Sequence, residues 1–236
     1  MKLSIIIPAL NEAAQLRDTL LPLRALQARG HEVIVVDGGS SDDTTAIAGE
    51  YADHVIDSAR GRARQMNAGA AIASGDVLLF LHADTRLPEQ ADVLICAALG
   101  NDTKVWGRFD VRLSGDHVLL RVVEVLMNLR SRMSSIATGD QALFVRRAVF
   151  TQLGGYPEIP LMEDIALCKL LKRLAQPANL SARVVTSSCR WEQRGIVRTI
   201  VLMWRVRLAY ALGTSPHRLA QMYQQNPSCN SPPRAF

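Results

Sequence analysis

The chain opens on an unbroken apolar run, Leu3-Ser4-Ile5-Ile6-Ile7, closed by Pro8. A short β-branched run of this kind predicts a strand buried on both faces, as in a parallel sheet. From Ala13 the period changes. Ala13, Leu16, Leu20 and Leu23 recur at three- and four-residue spacing, the mark of one helix face. Pro22 should kink or divide that helix, because it has no amide for the interior ladder, and Gly30 stops it. Strand patterns return at residues 32–36, 55–56 and 76–81, with helical patterns between them at 44–50 and 61–73. Pro88 then opens a further helix to residue 99. This alternation predicts an α/β fold, an open, mainly parallel sheet covered by helices on both faces. Such sheets bind ligands beyond the carboxyl ends of their strands, where the polar clusters at 8–12, 37–43 and 82–84 all fall.

The second half is less regular. It reads as strands at 104–113 and 141–145 and helices at 118–132, 163–174, 196–212 and 216–223. A Pro/Ser-rich tail after Asn226 is expected to be disordered. No internal repeat is evident.

At 236 residues, 48% hydrophobic and 21% charged, the composition is globular and suits one large domain or a domain with an extension. The net charge of +5 is unevenly spread. Residues 1–170 carry 17 basic and 21 acidic side chains, a net −4, whereas residues 171–236 carry 10 basic ones and Glu192 alone, a net +9. That asymmetry argues against a basic nucleic-acid coat, as do the 5% aromatic content and the lack of a recognised module. Four scattered cysteines without a Cys-x-x-Cys pair suit reduced thiols in a cytoplasmic protein. No uncharged apolar stretch reaches about 18 residues, so no transmembrane helix is expected. The first apolar run is short and meets Asn11-Glu12, which reads as a strand and not as a signal peptide.

The first strand leads into Pro8-Ala9-Leu10-Asn11-Glu12 and not into G-x-G-x-x-G, which argues against the usual dinucleotide oxidoreductase. Asp37 ends the second strand before small residues that let a ligand approach the backbone. It suits a ribose or base, or equally a tight turn in which it caps the helix at Thr44. Asp84 ends an apolar strand in His82-Ala83-Asp84. One carboxylate plus substrate phosphates is how Mg2+ or Mn2+ meets nucleotides; a plain turn residue is the alternative. Glu163-Asp164 begins an apolar helix, where the dipole alone favours acids and where a general base would also suit.

Taken in order, IIIPALNE (5–12), VVDGGSSDDT (35–44), GRARQMNAG (61–69), LLFLHADT (78–85), TGDQALFVRR (138–147), GGYPEIPLMED (154–164) and Arg190-Trp191 resemble the family-2 glycosyltransferases of GT-A fold over residues 3–223. The short length, the HADT variant and the 190–223 ending are similar to a small bacterial subgroup associated with arsenosugar biosynthesis. The resemblance implies a GT-A domain over 1–190, a basic, apolar helical extension over 191–225 packed on it, and a disordered 226–236. It implies a nucleotide-diphosphate sugar donor held by Pro8, Ala9, Glu12 and Asp37, with Arg62 or Arg64 near the base or phosphates. Asp84 matches the last Asp of the family's Asp-x-Asp motif and would bind a divalent cation, Mg2+ or Mn2+. His82 stands where the first Asp normally is, a departure that bears on the ribose contact. Asp140 matches a position near the sugar or acceptor. Asp164 matches the catalytic base, with Glu163 as second candidate, and Arg190-Trp191 matches part of a longer motif whose leading Gln is absent. The implied reaction is an inverting transfer to an unidentified acceptor hydroxyl. The alternatives are transfer to a polyprenyl phosphate at the membrane and non-catalytic nucleotide-sugar binding on the same fold.

Two helix patterns raise the question of partners. Arg194, Arg198 and Arg205 make a narrow stripe with the 196–212 helix, and Arg121, Glu124, Asn128 and Arg132 make another on the 118–132 helix. The expected arrangement packs both helices on the body with these stripes facing water. Peripheral contact of 196–212 with the inner face of a membrane, arginines holding donor phosphate, and a homodimer are the alternatives.

Overall fold

Strands and helices alternate through the first half: β1 (Leu3–Ala9), α1 (Ala13–Leu20), α2 (Arg24–Gln27), β2 (Glu32–Asp37), α3 (Thr44–Tyr51), β3 (His54–Asp57), α4 (Arg62–Ile72) and β4 (Val77–Phe80). In the computed structural model, which describes residues 1–101 and 103–224, these four strands are parallel in the order β3-β2-β1-β4. β1 is central and feeds both cores by alternation. Ile5 and Ile7 pack with Val33, Val35 and Leu79 on one face, and Ile6 packs with Ile34, Val36, Leu78 and Phe80 on the other. Pro22 divides the first helical pattern as expected: α1 ends at Leu20, a 3-10 turn carries the proline, and α2 resumes at Arg24.

Pro8 does not end β1, which runs on to Ala9. The Ile6 carbonyl faces β4, accepting from Leu81, and by alternation the Pro8 backbone faces the same side. Pairing with β4 stops at Ile6–Phe80, so the missing proline amide removes no ladder bond.

The second half contributes β5 (Thr85–Arg86), α5 (Ala91–Ala98), β6 (Trp106–Leu113), α6 (Val118–Ser134), β7 (Phe144–Arg146), α7 (Arg147–Gln152), α8 (Glu163–Leu174), β8 (Ala178–Thr186), α9 (Cys189–Arg194), α10 (Ile196–Ala211) and α11 (Pro216–Gln224). The eight strands run β3-β2-β1-β4-β7-β6-β8-β5, with β7 antiparallel to β4 and β6 and with β8 parallel to β6. The sequence pattern does not predict β8. Most of its residues are only half-buried, and its register slips between Phe109 and Asp110, so no clean alternation survives. The strand expected at 141–145 begins later, because Gly139–Gln141 winds as a 3-10 turn in which Thr138 N–H donates to Gln141 Oε1 at 3.3 Å.

The orientation expected for the 118–132 helix is reversed. Its polar stripe faces the protein. Glu124 accepts from Leu113 N–H (2.6 Å), and Asn128 accepts from Val111 N–H (2.9 Å) while donating to Val111 C=O (3.0 Å). Arg121 donates to Leu113 C=O (2.6 Å) and Arg132 to Asp110 (2.7 Å). The cause lies in the sheet. β7 pairs with β6 only at Trp106 and Gly107, which leaves an open edge that these side chains complete in place of a strand. The second stripe is corrected too: Gly195, at φ +81°, separates α9 from α10, so Arg194 is not on the helix of Arg198 and Arg205.

Cys96 is half-buried and Cys168 buried, both as free thiols. Among the described residues no helix is long and apolar enough to cross a membrane. The expected tail at 226–236 lies outside the described residues.

Candidate active site

The ends of β1 and β2 are locked before any ligand arrives. Gln65 of α4 donates from one amide nitrogen to Ala9 C=O (2.8 Å) and Val36 C=O (2.9 Å), bridging the two strands next to Pro8. Asn11, at φ +54°, ties the following loops together: its N–H donates to Ser40 Oγ (2.8 Å) and its side chain accepts from Ser41 N–H (2.8 Å). Asp37 is buried and serves its own turn, accepting from Gly39 N–H (2.9 Å), Ser40 N–H (2.8 Å) and the Ser40 hydroxyl. Asp37 thus closes its turn and does not cap the helix at Thr44, whose N–H donates to Asp42 at 3.1 Å.

A pocket opens beyond β4. Its floor is Met66, Phe80, Leu143 and Tyr156, and its polar wall is Arg62, His82, Glu163 and Asp164. Asn67 fastens the Tyr156 loop to α4 by accepting from Tyr156 N–H (2.9 Å) and donating to Tyr156 C=O (2.9 Å). His82 places Nδ1 3.3 Å from Asp140 Oδ1, and its Nε2 is buried without a partner. Gly139 lies against that ring so closely that a Cβ would collide with Nε2. Asp164 Oδ2 accepts from Gly139 N–H (3.0 Å) and Oδ1 from Ile165 N–H (2.7 Å). Met162, at φ +71°, turns the chain into α8 just before the two acids. Glu163 is buried 3.4 Å from the Arg62 guanidinium.

These contacts set the charges apart. Burial, then the neighbouring Glu163, raises the Asp164 pKa above the ordinary carboxylate value, against its two amide donors and Arg62. Burial would raise Asp140 as well, but the His82 hydrogen bond and the charges of His82, Arg190 and Arg62 bring it to about 2. Glu12 is pushed up to about 7 by burial and by the charge of Asp84, which outweigh His82, Arg190 and Arg62. Asp84 Oδ1 accepts from Thr186 Oγ1 (3.4 Å), which in turn accepts from Thr85 Oγ1 (2.9 Å). Thr186 comes from β8, the strand that the pattern does not predict.

The structure separates paired candidates. Arg62 lines the pocket, whereas Arg64 pairs with Glu158 at 3.1 Å on the surface. Arg190 donates to the Tyr223 hydroxyl and acts electrostatically on Glu12 and Asp140. Trp191 packs instead with Leu113, Leu120 and Val123, away from the pocket lining. Two cations emerge that the sequence pattern leaves unmarked, Arg130 of α6 and Arg207 of α10. Burial, then Arg207, lowers Arg130 to about 10, with Asp164 acting in the opposite sense. Burial also lowers Arg207, opposed by Asp164 and Asp140. No sequence signal marks either one, because each lies on a helix whose packing only the fold decides.

Among the described residues no cluster of three or more His, Cys, Asp or Glu could hold a metal unaided. Asp84, whose charge acts on Glu12, suits a hard cation shared between one or two carboxylates and substrate phosphates. The repulsion that helps raise Glu12 is the kind that such a cation relieves.

A mixed sheet, parallel through β3-β2-β1-β4 and covered by helices, is the GT-A fold of glycosyltransferases, and solved structures share that fold. Staphylococcus aureus TarS 1–349 in complex with UDP matches with a TM-score of 0.64 at 21% identity, covering 79% of this chain and 60% of that one. The mannosyltransferase PcManGT from Pyrobaculum calidifontis in complex with GDP-Man and Mn2+ matches with a TM-score of 0.62 at 20% identity, covering 94% and 70%. Residues 4–147 match the model for glycosyl transferase family 2, and the chain belongs to that family. It is similar to the probable glycosyltransferase YdaM of Bacillus subtilis (strain 168), 29% identical over 236 residues. That likeness covers 90% of this chain and 55% of the relative, so the chain spans little more than half of its length.

Proposed function

We propose that this glycosyltransferase transfers a sugar, with inversion, from a nucleotide-diphosphate sugar to an acceptor hydroxyl. The observation that carries this reading is Asp164: a carboxylate in the pocket wall, aimed by the Gly139 and Ile165 amides and made more basic by its surroundings. The nucleotide lies along Pro8, Ala9, Glu12 and Asp37, and the diphosphate and sugar lie near Arg62, His82 and Asp140. Asp84 and Glu12 would hold Mg2+ or Mn2+ against the diphosphate, where it would supply Lewis-acid stabilisation of the leaving group, and the Mn2+ in PcManGT supports this. Asp164 takes the acceptor proton as the acceptor oxygen bonds to the anomeric carbon. The bond from that carbon to the diphosphate oxygen breaks, its electron pair leaving on the diphosphate, where Arg62, Arg190 and Arg207 offset the charge. Residues 1–190 form the transferase domain and 191–225 the helical extension. The HADT variant supports the arsenosugar-associated subgroup.

The test is nucleotide release over a donor panel, with and without Mg2+ or Mn2+, in the presence of an acceptor extract. Asp164→Asn should lower turnover about a hundredfold or more while leaving donor affinity nearly unchanged. Near-wild-type turnover with a hydroxyl acceptor would remove Asp164 as the base. A second reading, transfer to a polyprenyl phosphate, is favoured by Arg130 and Arg207, half-buried cations on which the charge of Asp164 acts. Such an acceptor is already ionised, so Asp164→Asn would spare turnover with it. No release with any donor would favour nucleotide-sugar binding without catalysis.

A further inference from the structure

Two neighbouring helices turn apolar sides away from the body. On α6, Val118, Val122, Val125, Leu126, Leu129 and Met133 follow helical spacing along one stripe, each 49–79% exposed. On α10, Val197, Val201, Trp204 and Leu208 repeat that spacing at 51–72% exposed. Ile196 and Ile200 of α10 pack against Leu120 and Val123 of α6, so the helices adjoin. Neither stripe is a core face left open by misplacement. The polar side of α6 is committed to the edge of β6, and α10 buries Thr199 and Val206. Soluble monomers rarely expose contiguous apolar patches of more than a few hundred Å2 without a partner.

Charge selects the occupant. Arg198 and Arg205 are exposed along one flank of the α10 stripe, roughly 70–90° from its centre at 100° per residue. The two helices offer no acid to balance them: α10 contains none, and Glu124 of α6 is buried against Leu113. In a twofold pair the patch would meet itself, setting these arginines toward one another with no carboxylate between. Anionic headgroups give them partners, while the interfacial hydrocarbon takes Trp204 and the aliphatic stripes.

We propose that the outward faces of α6 and α10 dock this protein on a bilayer surface containing anionic lipid. The proposal stands apart from the reading of the active site.

The test is flotation of the full chain with phosphatidylcholine vesicles, with or without phosphatidylglycerol, in about 0.1 M salt, where charges act over about 10 Å. The protein should float with the anionic vesicles and not with phosphatidylcholine alone. Leu126→Glu and Trp204→Glu should each weaken binding about tenfold or more, and Arg198→Gln and Arg205→Gln about fivefold each, the equivalent of about 1 kcal/mol per cation. All four positions lie outside the pocket lining, so thermal melts and nucleotide release should match wild type. As a second readout, Trp204 emission should shift to the blue on adding anionic vesicles, and Trp204→Phe should lose that response. Failure to float with anionic vesicles, or binding unaffected by Leu126→Glu and Trp204→Glu, would overturn the proposal. So would a concentration-dependent dimer that Leu126→Glu dissolves, because a second copy would then cover the face.

Discussion

His82 at the end of β4 meets Asp140 of the following 3-10 turn, Nδ1 to Oδ1 at 3.3 Å, and the same turn offers Gly139 N–H to Asp164. One short turn therefore positions both His82 and Asp164, the residue proposed as base. Asp140, a carboxylate held ionised by its neighbours, keeps negative charge beside His82.

Asp140→Asn should weaken donor binding about ten- to hundredfold, the equivalent of one charge-assisted hydrogen bond at about 1.5–3 kcal/mol. Calorimetric titration with nucleoside diphosphates checks it. Unchanged affinity together with unchanged turnover would reduce the pair to a structural role.

The acid limb of turnover should follow Asp164. A base works deprotonated, so turnover falls as pH drops through a pKa raised by burial and then by Glu163. Glu163→Gln removes that charge and releases Arg62, so the limb should move to lower pH. A kcat–pH profile that stays fixed would show that another group titrates.

Glu32, far from the pocket, makes a control for stability. It accepts from Ser74 N–H (2.6 Å), Ser74 Oγ (2.6 Å), Ser4 Oγ (2.5 Å) and Lys2 (3.2 Å), joining the starts of β1 and β2 to the turn before β4. Burial opposes its ionisation, but these donors win and lower its pKa from 4.5 to about 2. A lowered carboxylate contributes stability above its unfolded pKa and loses it as pH falls through the folded value. Glu32→Gln should cost about 1–3 kcal/mol at neutral pH, and the gap from wild type should close between pH 4.5 and about 2 in denaturant titrations.

Two glycines should respond with opposite sign. A Cβ on Gly69 would lie 2.6 Å from Ile6 Cγ2 and 3.0 Å from Val36 Cγ2, pushing α4 off the sheet. Gly69→Ala should cost about 1–3 kcal/mol. Gly49 in α3 is exposed with nothing within 4 Å of its Cβ direction, so Gly49→Ala should stabilise by up to about 1 kcal/mol. Thermal melts of the two variants check both; equal shifts would deny the close approach.

The parallel half of the fold is legible because its strands are apolar on both faces and its helices are short and periodic. β1, β2 and β4 and the polar ends of all three follow directly. β8 is not legible: it sits where β6 needs a neighbour, and its composition carries little of that need. The residues most specific to the site come from such places. Gln65 acts through two carbonyls that converge only once the strands are laid side by side. Thr186 reaches Asp84 from the far end of the sheet, and the charge of Asp164 acts on Arg130 and Arg207 of two helices distant in sequence.

Local patterning by itself determined the parallel α/β core, the strand ends that carry acids, and the existence of two amphipathic helices. It could not determine which side of those helices meets the protein. Periodicity records that polar and apolar residues occupy opposite faces and says nothing of what each face will touch. That was decided when β7 parted from β6 after Gly107 and left open backbone groups at Val111 and Leu113. Unpaired buried amides and carbonyls cost more than exposed aliphatic side chains, so the polar stripe of α6 turned inward and the apolar one outward.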